Sequence, residues 1–114
     1  MSSIVELAAR QLAAYNASDL DAFCACYHPE VVVMDAEEQI AQGLTDFRER
    51  YRGLFEGFQF GAEVSKRLDA GGHCVDYETW WRIDPGTGVR SQGLVLVRYT
   101  LRDDTIGWVQ FFRE

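Results

Sequence analysis

Apolar positions recur along the chain with two different periods, and the change between them falls at Gly57. From about Ser3 to Ala17, Ile4, Leu7, Ala8, Leu12 and Tyr15 share one face of a helix. A second helix is expected to open at Ser18, whose hydroxyl can cap free backbone N–H groups, with Asp21 as the reciprocal partner. Its buried face would carry Leu20, Phe23, Cys24 and Tyr27, and Pro29 would end it. Val31-Val32-Val33-Met34-Asp35 is a β-branched run and predicts a short strand. Residues 36–42 read as a connector around Ile40. Gly43 punctuates it, and Thr45 is placed to cap a third helix with Phe47, Tyr51, Leu54 and Phe55 on its apolar face.

Beyond Gly57 the period is two. Phe58, Phe60, Ala62 and Val64 alternate with Gln59, Gly61, Glu63 and Ser65. Ala70-Gly71-Gly72 turns the chain. Val75, Tyr77, Thr79, Trp81 and Ile83 then alternate with Asp76, Glu78, Trp80 and Arg82, and the first set is expected to face inward. Asp84-Pro85-Gly86-Thr87-Gly88 is a second turn, about Val89 to Leu101 a third strand, Asp103-Asp104 a tight turn, and Ile106 to Arg113 the last strand. Helices first, then a four-strand antiparallel meander, predict an α+β fold. Long strands twist and coil, so the sheet should curl around the three N-terminal helices as a cone and enclose a pocket at its open end. No repeat, low-complexity tract or linker interrupts residues 1–114, which read as a single domain.

Composition narrows the function. Of 114 residues, 47% are apolar and 13% aromatic, enough for a core without disulfides or metal. A net charge of −7 would repel a phosphate backbone, so nucleic acid is not an expected partner. Arg48, Arg50 and Arg52 cluster, but Glu49 lies among them, and a solvated helix face accounts for the group. No apolar run approaches the ~20 residues that span a bilayer. Met1-Ser2-Ser3-Ile4-Val5-Glu6 does not read as a signal peptide, and three cysteines suit a reducing compartment, so a cytoplasmic location is expected. His28 and His73 have no histidine at ligand spacing, and Cys24 and Cys26 point apart on a helix, so no metal is expected. Without a G-x-G-x-x-G, P-loop or G-x-S-x-G pattern, no cofactor is expected either.

The stretch from Tyr27-His28-Pro29-Glu30 through Val33, Asp35, Gly43, Phe47 and Tyr51 resembles the SnoaL-like and ketosteroid isomerase-like branch of the nuclear transport factor 2-like superfamily. Cys74-Val75-Asp76-Tyr77-Glu78 and the closing Ile106 to Arg113 are similar to the same group. The resemblance implies a cone-shaped fold that hosts isomerases, cyclases, dehydratases, hydrolases and proteins that only bind. Counted from Asp19, it puts the catalytic base at Asp35 and pocket tyrosines at Tyr27 and Tyr51. It sets Gln11 where the catalytic tyrosine of the first helix would be, and Leu96 on or beside the oxyanion-holding aspartic acid. With both donors altered, little or no steroid double-bond isomerisation is implied.

The residues can also be weighed by themselves. Asp35 follows Val31 and Val33, which should face the core, and a carboxylate aimed into such a pocket is poorly solvated and suited to act as a general base. The alternative is a solvated strand-end carboxylate that caps the next loop. Tyr15, Tyr27, Tyr51, Tyr77 and Trp81, with Phe55 from the third helix, suit a pocket that orients a small apolar or aromatic molecule. Ordinary core packing is the alternative for each. Trp80 outward among charges, near Val95 and Val97, predicts a homodimer through the sheet face, with Arg82 meeting a carboxylate across the axis. Three functions stay open: a proton-transfer enzyme with Asp35 as base and Tyr51, Gln11 and Tyr15 as polar partners, a binding module with the same pocket, or an accessory subunit in which the sheet face matters.

Overall fold

A computed structural model describes residues 2–114. Met1, which opens the segment read for targeting, lies outside the described residues. In chain order the elements are α1 (Ile4–Asn16), α2 (Leu20–Cys24), β1 (Tyr27–Asp35), β2 (Glu38–Gln42), α3 (Leu44–Gly57), β3 (Gln59–Ala70), β4 (His73–Ile83), β5 (Arg90–Arg102) and β6 (Thr105–Arg113). The fold is α+β, with three helices against one curled, unclosed sheet, as the period change predicts.

The sheet has six strands, in the order β2-β1-β6-β5-β4-β3, so the expected four-strand meander is joined by the expected short strand, as β1, and by β2. β1 pairs with β6 in parallel, so the last strand returns to sit beside the first, and the other neighbours are antiparallel. Residues 36–42, read as a connector, instead turn at Ala36 and add β2 as an edge strand to β1. Pro29 does not end a helix. It sits within β1, in the irregular stretch between the Tyr27–Ile106 and Val32–Trp108 pairings, where a residue lacking an N–H costs no ladder bond. Helix α2 is accordingly short, and its cap is Asp19, whose Oδ1 accepts from the Ala22 N–H at 3.1 Å, not Ser18. At the start of α3 Gly43 takes the cap position, with φ of 85°, and Thr45 makes no cap bond.

Helix α1 buries Ile4, Leu7, Ala8, Gln11 and Ala14 against the sheet. Phe23 from α2 and Phe47 from α3 stack at 5.6 Å and close the core between helices and sheet. Between β5 and β6, Asp103 and Asp104 both have positive φ, the conformation of a two-residue hairpin turn that twists with its strands.

The facing of β4 is the reverse of the expectation. Cys74, Asp76, Glu78, Trp80 and Arg82 turn toward the helices, while Val75, Tyr77, Thr79, Trp81 and Ile83 turn away. Val95 and Val97 are likewise buried on the inner side, and Leu96 points outward. The compensation is on β3. Arg67 donates from Nε to Asp76 Oδ1 at 2.6 Å and from a terminal nitrogen to Oδ2 at 2.9 Å, so the fully buried carboxylate is met by a two-pronged partner. A bulge between Val64 and Lys66 brings Arg67 opposite Asp76.

Candidate functional site

The helices and the inner face of the sheet leave a cavity of about 340 Å³ between them. That is the small end of the range for ligand sites. Its apolar wall comes from Leu12, Phe23, Leu54, Val95, Val109 and Phe111. Its polar groups arrive from five elements: Gln11 and Tyr15 on α1, Tyr51 and Arg50 on α3, Glu78 and Arg82 on β4, Tyr99 on β5 and Arg113 at the end of β6.

Gln11 organises the deep end. Its Nε2 donates to the Ala8 carbonyl at 3.0 Å and to the Tyr99 hydroxyl at 3.1 Å, and its Oε1 accepts from the Tyr27 hydroxyl at 3.0 Å. One buried amide thus fixes two phenols. Among the described residues the Tyr99 hydroxyl has no acceptor of its own, so its proton is available to whatever occupies the cavity. Burial holds Tyr27, Tyr51 and Tyr99 above the ordinary phenol range and pushes Tyr15 up to about 12. All four stay neutral donors near neutral pH.

Glu78 is the carboxylate of this cavity. Burial pushes it up to about 7, the negative charge of Asp76 adds to the rise, and Arg113 opposes it. A group balanced between acid and base near pH 7 can take up and return a proton in one cycle. Toward the far end of β4, Arg82 lies with its guanidinium over the Trp80 ring, 4.9 Å from the centroid. Its Nε is buried and has no hydrogen-bond partner.

Of the residues singled out in sequence, Gln11, Tyr15, Tyr27 and Tyr51 come together around this cavity. Phe55 stands behind them, 5.7 Å from Tyr15 and 4.8 Å from Phe60 between ring centroids, and does not line it. Asp35 is also outside the lining. Its side chain keeps 40% of its exposure and faces Arg113 Nε at 3.5 Å, so the burial expected of it is absent. Tyr77, Trp81 and Leu96 belong to the opposite face of the sheet, because β4 and β5 turn that parity outward. Glu78, Trp80, Arg82 and Tyr99 were missed as pocket residues. The signal that could have found the first three was Cys74, which shares their parity and belongs to the residue type most often buried. Among the described residues, no three His, Cys, Asp or Glu side chains gather as a metal site would need, and no helix is long and apolar enough to cross a membrane.

The chain belongs to the SnoaL-like domain family, whose model matches residues 8–107. No curated protein sequence matches it. Among solved structures it is similar to a computationally designed 17-OHP binder, at 10% identity and a TM-score of 0.88, covering 100% of this chain and 95% of the other. It is similar to an LEH-like epoxide hydrolase from M. tuberculosis, at 16% identity and a TM-score of 0.85, covering 97% and 82%. A protein with a ketosteroid isomerase-like fold from Catenulispora acidiphila, in complex with trimethylamine, matches at 14% identity and a TM-score of 0.81, covering 96% and 85%. At these identities the likeness is one of fold.

Proposed function

We propose that this SnoaL-like protein is a proton-transfer enzyme of the isomerase or cyclase type, acting on a small cyclic carbonyl compound with Glu78 as the base. The observation that carries the reading is a carboxylate tuned to about 7 inside a cavity walled by aromatic rings and neutral phenols. Glu78 would take the proton from a carbon beside the carbonyl. The C–H pair becomes the C=C of an enolate, and the carbonyl π pair moves to oxygen. The Tyr99 hydroxyl, fixed by Gln11, is placed to donate to an oxyanion of that kind. Where a C=C flanks that carbon the anion is a dienolate, and return of the proton from Glu78 to its far end gives an isomer. Attack of the enolate carbon on an internal carbonyl gives a ring, and the alkoxide so formed takes the proton back. Asp35, the base implied by the family resemblance, enters this scheme only through its contact with Arg113.

The test is deuterium exchange into 2-tetralone in D2O, followed by NMR. Glu78→Gln should slow exchange by about 10²–10⁴-fold, the contribution typical of a general base, while Asp35→Asn should leave it within a few-fold. The reverse order would return the role to Asp35. If the protein gave no exchange above buffer but bound the ketone, the binding-module reading would stand. The similarity to a protein named as a designed binder supports that second reading, since the same scaffold there is a ligand receptor by its name.

We also propose a homodimer through the outer face of the sheet, on different residues from those expected. Trp80, Val95 and Val97 are turned inward. The outer face instead carries Tyr77, Leu96 and Phe112, 44%, 40% and 42% exposed, directly opposite one another across β4, β5 and β6. That row is a continuous apolar strip across three strands, the kind of surface that marks an interaction site. Leu96→Glu should convert a dimer to monomer in sedimentation at micromolar concentration; a wild-type monomer there would end the proposal.

A further inference from the structure

The cavity gathers positive charge in a protein that is acidic overall. Net charge is −7, yet Arg50, Arg82 and Arg113 all line the cavity against one carboxylate, Glu78. Among the described residues neither Arg50 nor Arg82 has an ion-pair partner, and the Arg113 contact with Asp35 is long and half exposed on both sides. The buried Nε of Arg82 is the single buried side-chain polar atom among the described residues left without a hydrogen bond. That atom is shut off from the cavity, and the part of the guanidinium that a ligand can meet is its terminal nitrogens, which likewise have no partner among the described residues. Ordinary strand geometry adds to this. Glu78 and Arg82 lie four residues apart on one face of β4, roughly 13 Å between their Cα atoms, and no ion pair joins them among the described residues. Between them on that face is Trp80, and the Arg82 guanidinium carbon lies over its ring, 4.9 Å from the centroid.

We propose that the ligand of this cavity is an acid: a flat cyclic or aromatic molecule whose carboxylate is received by Arg82, with Arg50 and Arg113 contributing charge at the rim. This rests on the reading above that the cavity takes a small molecule, and it names the substrate class. A planar fork fixed on an aromatic ring matches a planar carboxylate in two parallel hydrogen bonds, which a lysine at the same place would not do. The ligand body then lies along Trp80, with its anionic end at Arg82 and its reactive carbon toward Glu78.

The test uses a matched pair of probes, 2-naphthoate and 2-naphthamide, titrated calorimetrically into the wild-type protein and into Arg82→Gln, Arg82→Lys and Arg50→Gln. The acid should bind about ten- to a hundredfold tighter than the amide. Arg82→Gln should erase that preference while leaving amide binding within about threefold, and Arg82→Lys should keep part of it. If Arg82→Gln fails to fold, Arg82→Lys and the exposed Arg50→Gln still report, since each should narrow the preference. Equal binding of acid and amide would overturn the carboxylate assignment while leaving the cavity a ligand site. No binding of either at millimolar concentration would overturn both. A preference for the acid that survives Arg82→Gln unchanged would overturn the role given to Arg82.

Discussion

Two carboxylates stand two residues apart on the inner face of β4, and the protein treats them in opposite ways. Asp76 has no exposure and receives both prongs of the Arg67 guanidinium, and its Oδ1 also accepts from the Cys74 thiol at 3.5 Å. Glu78 has no ion-pair partner among the described residues and opens on the cavity, where burial raises it to about 7. The same contrast holds for the arginines. Arg67 is paired with Asp76, while Arg82 keeps a buried Nε without a partner. Pairing is what separates a structural charge from one left for chemistry, because a satisfied ion pair has nothing further to offer a ligand. Glu78 and Arg82 both line the cavity with no ion-pair partner among the described residues.

The comparison breaks most visibly at Arg67. Arg67→Met leaves Asp76 buried and uncompensated and should cost about 3–5 kcal/mol in urea unfolding. Adding Asp76→Leu should recover most of it, and a single-variant loss under about 1 kcal/mol would put Asp76 in the same class as Glu78. The next largest effect is expected at Glu78 and has the opposite sign. Its pKa is raised from 4.5 to about 7, so the native state holds the proton longer than the unfolded chain does. The favourable contribution is complete below pH 4.5 and is lost as pH climbs through about 7. Glu78→Gln removes that dependence, and at pH 8 it should stabilise the domain by on the order of 2–3 kcal/mol relative to wild type. Stability measured at pH 4.5 and pH 8 decides it: an unchanged slope in the variant would mean that another group carries the dependence. Gln11→Leu should cost about 1–3 kcal/mol, since it strands the Tyr27 and Tyr99 hydroxyls at once, and thermal unfolding reads it directly. Asp35→Asn comes last. Both members of the Asp35–Arg113 pair are more than a third exposed, so the change should stay within about 1 kcal/mol.

The helices were legible because one face of each is apolar and the other is not. Ile4, Leu7 and Ala8 are buried at helical spacing, and Phe47 lies where the α3 stripe puts it. The order of helices before strands carried the α+β class. Strand facing was less accessible. Along β4 both parities carry large side chains, and the apolar set belongs to an exposed face while the charged set is turned inward. Alternation cannot separate those cases when the compensating group, Arg67, sits on another strand beyond a bulge. The return of β6 to lie parallel to β1 was out of reach for the same reason, since it depends on pairing between distant segments. In the site, Gln11, Tyr15, Tyr27 and Tyr51 were found from helix faces and resemblance. Glu78, Trp80 and Arg82 were hidden behind the reversed parity.

The irregularity in β3 makes this protein sensitive to a kind of change that sheets often absorb at their ends. Val64 faces Glu78 and Lys66 faces Tyr77, so Ser65 is the supernumerary residue that sets Arg67 opposite Asp76. With Ser65 held in a regular ladder instead of bulged out, the following residues would slide by one place along β4. Lys66 would then stand opposite Asp76, Arg67 opposite Val75, and Leu68 would swing from solvent to the place across from Cys74. Flattening the bulge would thereby act as three substitutions, replacing a fork by a point charge at the buried acid. Deleting Ser65 would have no such effect: Lys66 would follow Val64 directly, still opposite Tyr77, and Arg67 would keep its place opposite Asp76.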